Sequence, residues 1–147
     1  MKRLVCTILL AGIFMFVMVS CSEAEGDVFI ATEYASYGLY TETINIILTN
    51  NTRYEMIYGQ GFSIEKCDGG TEWEEVPLRE GYIFQDIAFN LQPNSSSTQE
   101  IDLSRLEGHL EPGQYRVVKN IVRTVDTPTQ ERFLFYAEFH IADEVLY

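Results

Sequence analysis

Apolar and polar residues alternate with a period of two along most of this chain, and no stretch carries a convincing helical repeat. Ile44, Ile46 and Leu48 alternate with Thr43, Asn45 and Thr49 until Asn50-Asn51 stops the run. Phe62 and Ile64 alternate with Ser63 and Glu65, ahead of turn residues Asp68-Gly69-Gly70. Trp73, between Glu72 and Glu74, starts the return arm of a hairpin closed by Pro77, which cannot donate to a ladder. Ile83, Ile87, Phe89 and Leu91 are expected to share one strand face, opposed by Asp86 and Asn90, before a turn at Pro93-Asn94-Ser95. Ile101 and Leu103 then alternate with Glu100 and Asp102.

The last two predicted strands carry the clearest pattern. Residues 113–124 place Tyr115, Val117 and Ile121 on one face and Val118 and Val122 on the other, as in a central strand. After a turn over residues 126–130, Phe133, Phe135, Ala137, Phe139 and Ile141 form an unbroken apolar face. A slip of one residue would send all five to solvent, so this register is strongly specified. Seven or eight short strands with regular turns predict an all-β fold, an immunoglobulin-like antiparallel β-sandwich. Leu110-Glu111-Pro112-Gly113-Gln114-Tyr115 resembles the approach to a tyrosine corner, in which the hydroxyl of Tyr115 would bond upstream backbone.

The N-terminus breaks the alternation. Lys2 and Arg3 precede an uncharged, mostly apolar run over residues 4–19, the n-region and h-region of an export signal. Its end, Met18-Val19-Ser20-Cys21, resembles the lipobox of bacterial lipoproteins. That resemblance implies a diacylglyceryl group on Cys21 and cleavage just before it. Ser20 suits its place, whereas Met18 stands where leucine is usual. Each buried CH₂ contributes about 0.8 kcal/mol, so two or more acyl chains hold stably. The stretch over residues 4–22 is also long enough to span a bilayer as an uncleaved helix, the competing reading. Residues 1–20 are therefore expected to be a lipoprotein signal peptide, 21–27 a lipidated N-terminus and tether, and 28–147 one sandwich domain. The expected location is the outer face of the cell membrane.

Charge narrows the partners. All 22 acidic residues follow Cys21, against 8 basic ones, a net charge near −14 for the mature part. Such a surface repels phosphate backbones, so nucleic acid is not an expected partner. Hydrophobic content of 46% is that of a folded domain. Of the three cysteines, Cys6 lies in the signal and Cys21 ends it. Cys67 alone remains in the domain, which rules out an intrachain disulfide there.

From about residue 43 to 141 the chain resembles the bacterial Ig-like domain of exported lipoproteins of the Gram-positive type. The resemblance is carried by Leu48-Thr49-Asn50-Asn51-Thr52, Gly61-Phe62-Ser63-Ile64-Glu65-Lys66, Trp73-Glu74-Glu75-Val76-Pro77, the stretch from Leu110 through Val117, and Tyr136-Ala137-Glu138-Phe139-His140-Ile141. It implies a surface-displayed Ig-like sandwich without an assigned catalytic set. The inter-sheet cysteine pair of antibody domains is missing, so stability must rest on packing. A looser resemblance, to small Ig-like inhibitors of intracellular serine proteases, rests on the asparagine-ended strand and the Pro-Gly-x-Tyr turn; the export signal argues against it.

Candidate chemistry is sparse. His109 and His140 have no second histidine or cysteine at ligand spacing, so no metal is expected. Glu72, Glu74 and Glu75 around Trp73 read as a solvated strand edge rather than a carboxylate pair for acid–base work. Asp68-Gly69-Gly70 lacks the ligand series of a calcium loop, and Ser95-Ser96-Ser97 lacks a nucleophile elbow. Tyr34, Tyr37, Tyr40, Tyr54 and Tyr58 read as packing residues first and recognition residues second. The sequence thus predicts a non-catalytic binding, adhesion or structural module without cofactors, held by lipid on Cys21 and facing a cell-surface protein or wall-associated ligand. The alternatives are a protease inhibitor or regulator acting through residues 124–130, and a hydrolase built on the Trp73 carboxylates.

Overall fold

β-Branched and aromatic residues in alternation favour pleated strands, and strands are what form. The computed structural model describes residues 27–123 and 130–143. Among the described residues there are ten strands: β1 (Val28–Thr32), β2 (Ser36–Gly38), β3 (Thr43–Asn50), β4 (Met56–Gly59), β5 (Ser63–Cys67), β6 (Trp73–Val76), β7 (Ala88–Leu91), β8 (Ser95–Asp102), β9 (Gly113–Arg123) and β10 (Glu131–Ala142). A single 3₁₀ turn, Leu103–Arg105, follows β8 and is capped by the Asp102 carboxylate.

The strands make two sheets. One has the order β1-β3-β8; the other runs β2-β10-β9-β4-β7, with β5 joined to β9 and β6. Every pairing is antiparallel except β2 with β10, which sets Tyr37 beside Ile141. Ile44, Ile46 and Leu48 from one sheet meet Ile64, Val117, Ile121 and Phe139 from the other, all essentially excluded from water. The Tyr115 ring stacks on Phe139 at 5.7 Å.

The strand count exceeds the expected seven or eight because the short strands β1, β2 and β4 are added, the last of them sharing a partner with β5. β4 pairs with residues 121–123 of β9 and β5 with residues 115–118. Between them Gly59, Gln60 and Gly61 have no ladder partner on β9. Lys119, 1% exposed, fills the gap: its Nζ donates to the carbonyls of Gly59 and Gly61. Burial lowers its pKa to about 8.

Asn50 does comparable work at the far end of β3. Its Nδ2 donates to the carbonyls of Tyr54, Leu91 and Gln92, and its Oδ1 accepts from the amide and hydroxyl of Thr52. The residue that ends the apolar run thereby ties three segments together.

One expected strand is corrected. Ile83 and Ile87 do not join Phe89 and Leu91 on a strand face; β7 begins at Ala88, and Ile83 is 83% exposed. A turn closed by Tyr82 N–H on the Arg79 carbonyl, with Gly81 at φ +75°, bends the chain here. The loop is held instead by Phe84, which packs edge-on against Phe62 and Tyr82.

Candidate binding face

The outer face of the second sheet holds the most developed arrangement of exposed side chains. Register alone puts Glu65 opposite Arg116 and Arg116 opposite Glu138, while Tyr136 stands opposite Val118. Trp73, opposite Cys67 on the β5–β6 hairpin, leans over this row. The Arg116 guanidinium lies 4.3 Å from the centroid of the Trp73 ring and 4.2 Å from that of Tyr136. Its Nε also donates to Glu65.

Each contact limits the freedom of the others. A cation held between two aromatic faces contributes about 0.5–1 kcal/mol per contact at an exposed site and more when desolvated. The ion pair with Glu65 is about four-fifths shielded on both sides, so it is screened less than a surface pair. Tyr136 nevertheless remains 46% exposed, and Leu134 on the same strand face 55%. The result is a rigid apolar and aromatic surface edged by Glu65, Glu75 and Glu138. A surface of this kind loses little side-chain entropy when covered.

A second feature lies at the tip of the β5–β6 hairpin. An open groove of about 410 Å³ is lined by Lys66, Cys67, Asp68, Glu74, Pro112 and Gln114, among others. Lys66 is paired with Glu111 at 3.2 Å, and the Glu111 hydrogen bond raises its pKa.

The residues singled out by sequence scatter. Cys21 and the whole of residues 1–26 lie outside the described residues, as do positions 124–129 of the proposed inhibitory loop. The Tyr115 hydroxyl donates to the Glu111 carbonyl at 2.7 Å. Tyr37 and Tyr58 are core residues, while Tyr34 and Tyr40 project from loops. His109 lies edge-on to Tyr40, with ring centroids 6.5 Å apart. His140 is exposed on β10, and among the described residues no cluster of three metal-ligating side chains occurs. Ser95, Ser96 and Ser97 are used in hydrogen bonds to the Gln92 carbonyl, Thr49 and the Tyr58 hydroxyl. Cys67 is half-buried, with its thiol 3.6 Å from the Gly70 carbonyl. Among the described residues no helix is long and apolar enough to cross a membrane.

Arg116 and Tyr136 escaped the sequence reading as a pair. The available signal was the register of β9 against β10, which places Glu138 beside Arg116 and brings Tyr136 within one step.

Two facing sheets with a predominantly antiparallel ladder define an antiparallel sandwich of the immunoglobulin type. The sequence pattern of the bacterial Ig-like domain matches residues 24–140, and the chain belongs to that family. No curated protein matches the chain in sequence. Among solved structures, the Escherichia coli chaperone DraB aligns at 10% identity with a TM-score of 0.46, over 80% of this chain and 56% of its own. The CooA pilin subunit of enterotoxigenic Escherichia coli aligns at 17% identity and a TM-score of 0.32, over 78% and 98%. A protein from Archaeoglobus fulgidus aligns at 12% identity and 0.35, over 84% and 100%. The chain thus spans about half the length of the chaperone that it matches.

Proposed function

We propose that the protein is a membrane-anchored, extracytoplasmic Ig-like lipoprotein that acts as a non-catalytic binding module. Its binding surface is the outer face of β9 and β10. The observation that carries this reading is the Trp73–Arg116–Tyr136 stack, fixed before any partner arrives yet with Tyr136 46% exposed. The carboxylates of Glu65, Glu75 and Glu138 around it favour a protein partner whose contact surface is apolar at its centre and basic at its rim. The lipobox at Cys21 supports the anchor, through acyl chains whose burial is additive.

Each half has its own test. Labelling cells with a lipid analogue should mark the wild-type protein and not Cys21→Ala; unlabelled wild type would end the lipoprotein reading. Oxidative footprinting compares intact cells with purified protein. Tyr136 and Trp73 should be protected in cells while Tyr40, 78% exposed and away from the stack, reacts equally in both. Equal reactivity of Tyr136 in the two preparations would contradict the binding face.

A further inference from the structure

The two ends of the sandwich differ in charge. β1 begins beside the end of β3, with Val28 opposite Asn50, and β4 begins opposite the end of β9, with Met56 opposite Arg123. The chain therefore enters at the end where β9 stops and β10 starts. This entry end carries Arg53, Arg123 and Arg132 against Asp27, Glu55 and Glu131. Of the eighteen described carboxylates that leaves fifteen elsewhere, and of the eight described cations it leaves five. Among the described residues the entry end is near neutral, and with Glu23, Glu25 and Asp126 of the adjoining segments counted it is still less acidic than the rest of the molecule.

The same end opens the apolar interior. Phe133 is the first apolar residue on the inward face of β10, yet it is 41% exposed. It lines a groove of about 310 Å³ together with Asp27, Val28, Met56, Arg123 and Phe135. Arg123 is ion-paired with Glu131 at 2.9 Å and lies over the Tyr54 ring at 4.4 Å, so a cation and an aromatic ring stand at the rim.

We propose that this entry end rests on the lipid bilayer, with Phe133 in the interfacial region and Arg53, Arg123 and Arg132 level with head-group phosphates. The inference rests on reading Cys21 as a membrane attachment. Asp27 is six residue steps from Cys21, and that many span at most about 20 Å. The end marked by Asp27 is thus bound to stay close to the membrane. Anionic head groups repel the acidic remainder, so charge orients the domain with its entry end down. Exposed phenylalanine beside arginine is the composition that suits the interface. The binding face then stands upright from the membrane, with Trp73 near the outer end. Tyr115, which neighbours the Trp73 hairpin, is eight residues of β9 from Arg123, or about 27 Å.

The native Trp73 provides an internal control. Full-length protein extracted from membranes is placed in vesicles of phosphatidylglycerol and phosphatidylcholine, with or without bromine on the acyl chains. In Phe133→Trp, bromine should remove most of the emission added by the new indole; the emission of the parent, from Trp73 alone, should not change. An unchanged melting midpoint shows that the variant is folded, as expected for an exposed position. Emission from Phe133→Trp that is insensitive to bromine would overturn the docking. Intact mass of the same sample reads the lipid on Cys21 separately. A mass without lipid ends the anchor reading, while the bromine result still decides whether this end meets the bilayer.

Discussion

Asn50, Tyr115 and Lys119 each satisfy backbone groups that no strand pairing reaches. Asn50→Ala removes five hydrogen bonds from a fully buried site and should lower the unfolding free energy by about 3 kcal/mol in a denaturant titration. Tyr115→Phe loses one bond, to the Glu111 carbonyl, and should cost about 1 kcal/mol or more; an unchanged midpoint would deny the hydroxyl its structural role. Lys119 is different, because its charge is a cost. Its pKa falls from 10.5 to about 8 on folding, so between those values the unfolded chain binds more protons. Stability should therefore rise with pH across that window, by about 2 kcal/mol between pH 7 and 9.5. Burial raises the Tyr37 and Tyr115 phenols, so near the top of that window they oppose the rise by a small amount, because the unfolded phenols begin to ionise first. Lys119→Met should abolish the rise, and an identical pH profile for the two proteins would contradict the buried charge. Of the three, Tyr115 was readable because Pro-Gly-x-Tyr is a local motif. Lys119 was not, although it falls on the inward face with Val117 and Ile121. A lysine there reads as an interruption until the carbonyls of Gly59 and Gly61 are seen to need a donor.

At the scale of elements, long alternating segments were legible and short ones were not. β3, β9 and β10 follow the pattern because eight or more residues average out single exceptions. β1, β2 and β4, with 5, 3 and 4 residues, leave too few positions to show a period. The segment holding Ile83 and Ile87 shows the converse error, since four apolar residues at near-even spacing also suit an extended loop. Even within β10 the apolar face is not uniform. Phe139 lies at its buried centre and Phe133 at its open end. Phe139→Ala should cost about 3–5 kcal/mol, and Phe133→Ala less than about 1 kcal/mol. Equal losses in a urea titration would show that the entry end is packed as tightly as the centre.

For the molecule as a whole, the sandwich followed from alternation and turns alone, without a disulfide to announce it. The binding face did not, because it depends on which strands become neighbours: Arg116 comes from β9, Tyr136 from β10, and Trp73 from a hairpin some forty residues upstream of Arg116. Sequence places all three on strands, and only the register unites them. The proposed anchor, entry end and face would form one arrangement, in which a lipid on Cys21 would hold the end marked by Asp27 and leave the stack clear of the bilayer.

The most direct test places a photo-crosslinking residue at position 136 in living cells and, as a control, at position 47 on the opposite sheet, where the native Ile47 is also exposed. A binding face on β9 and β10 gives a discrete crosslinked product from position 136 that is lost with Arg116→Ala and absent from position 47. The same product from both positions, or none from position 136, would contradict it.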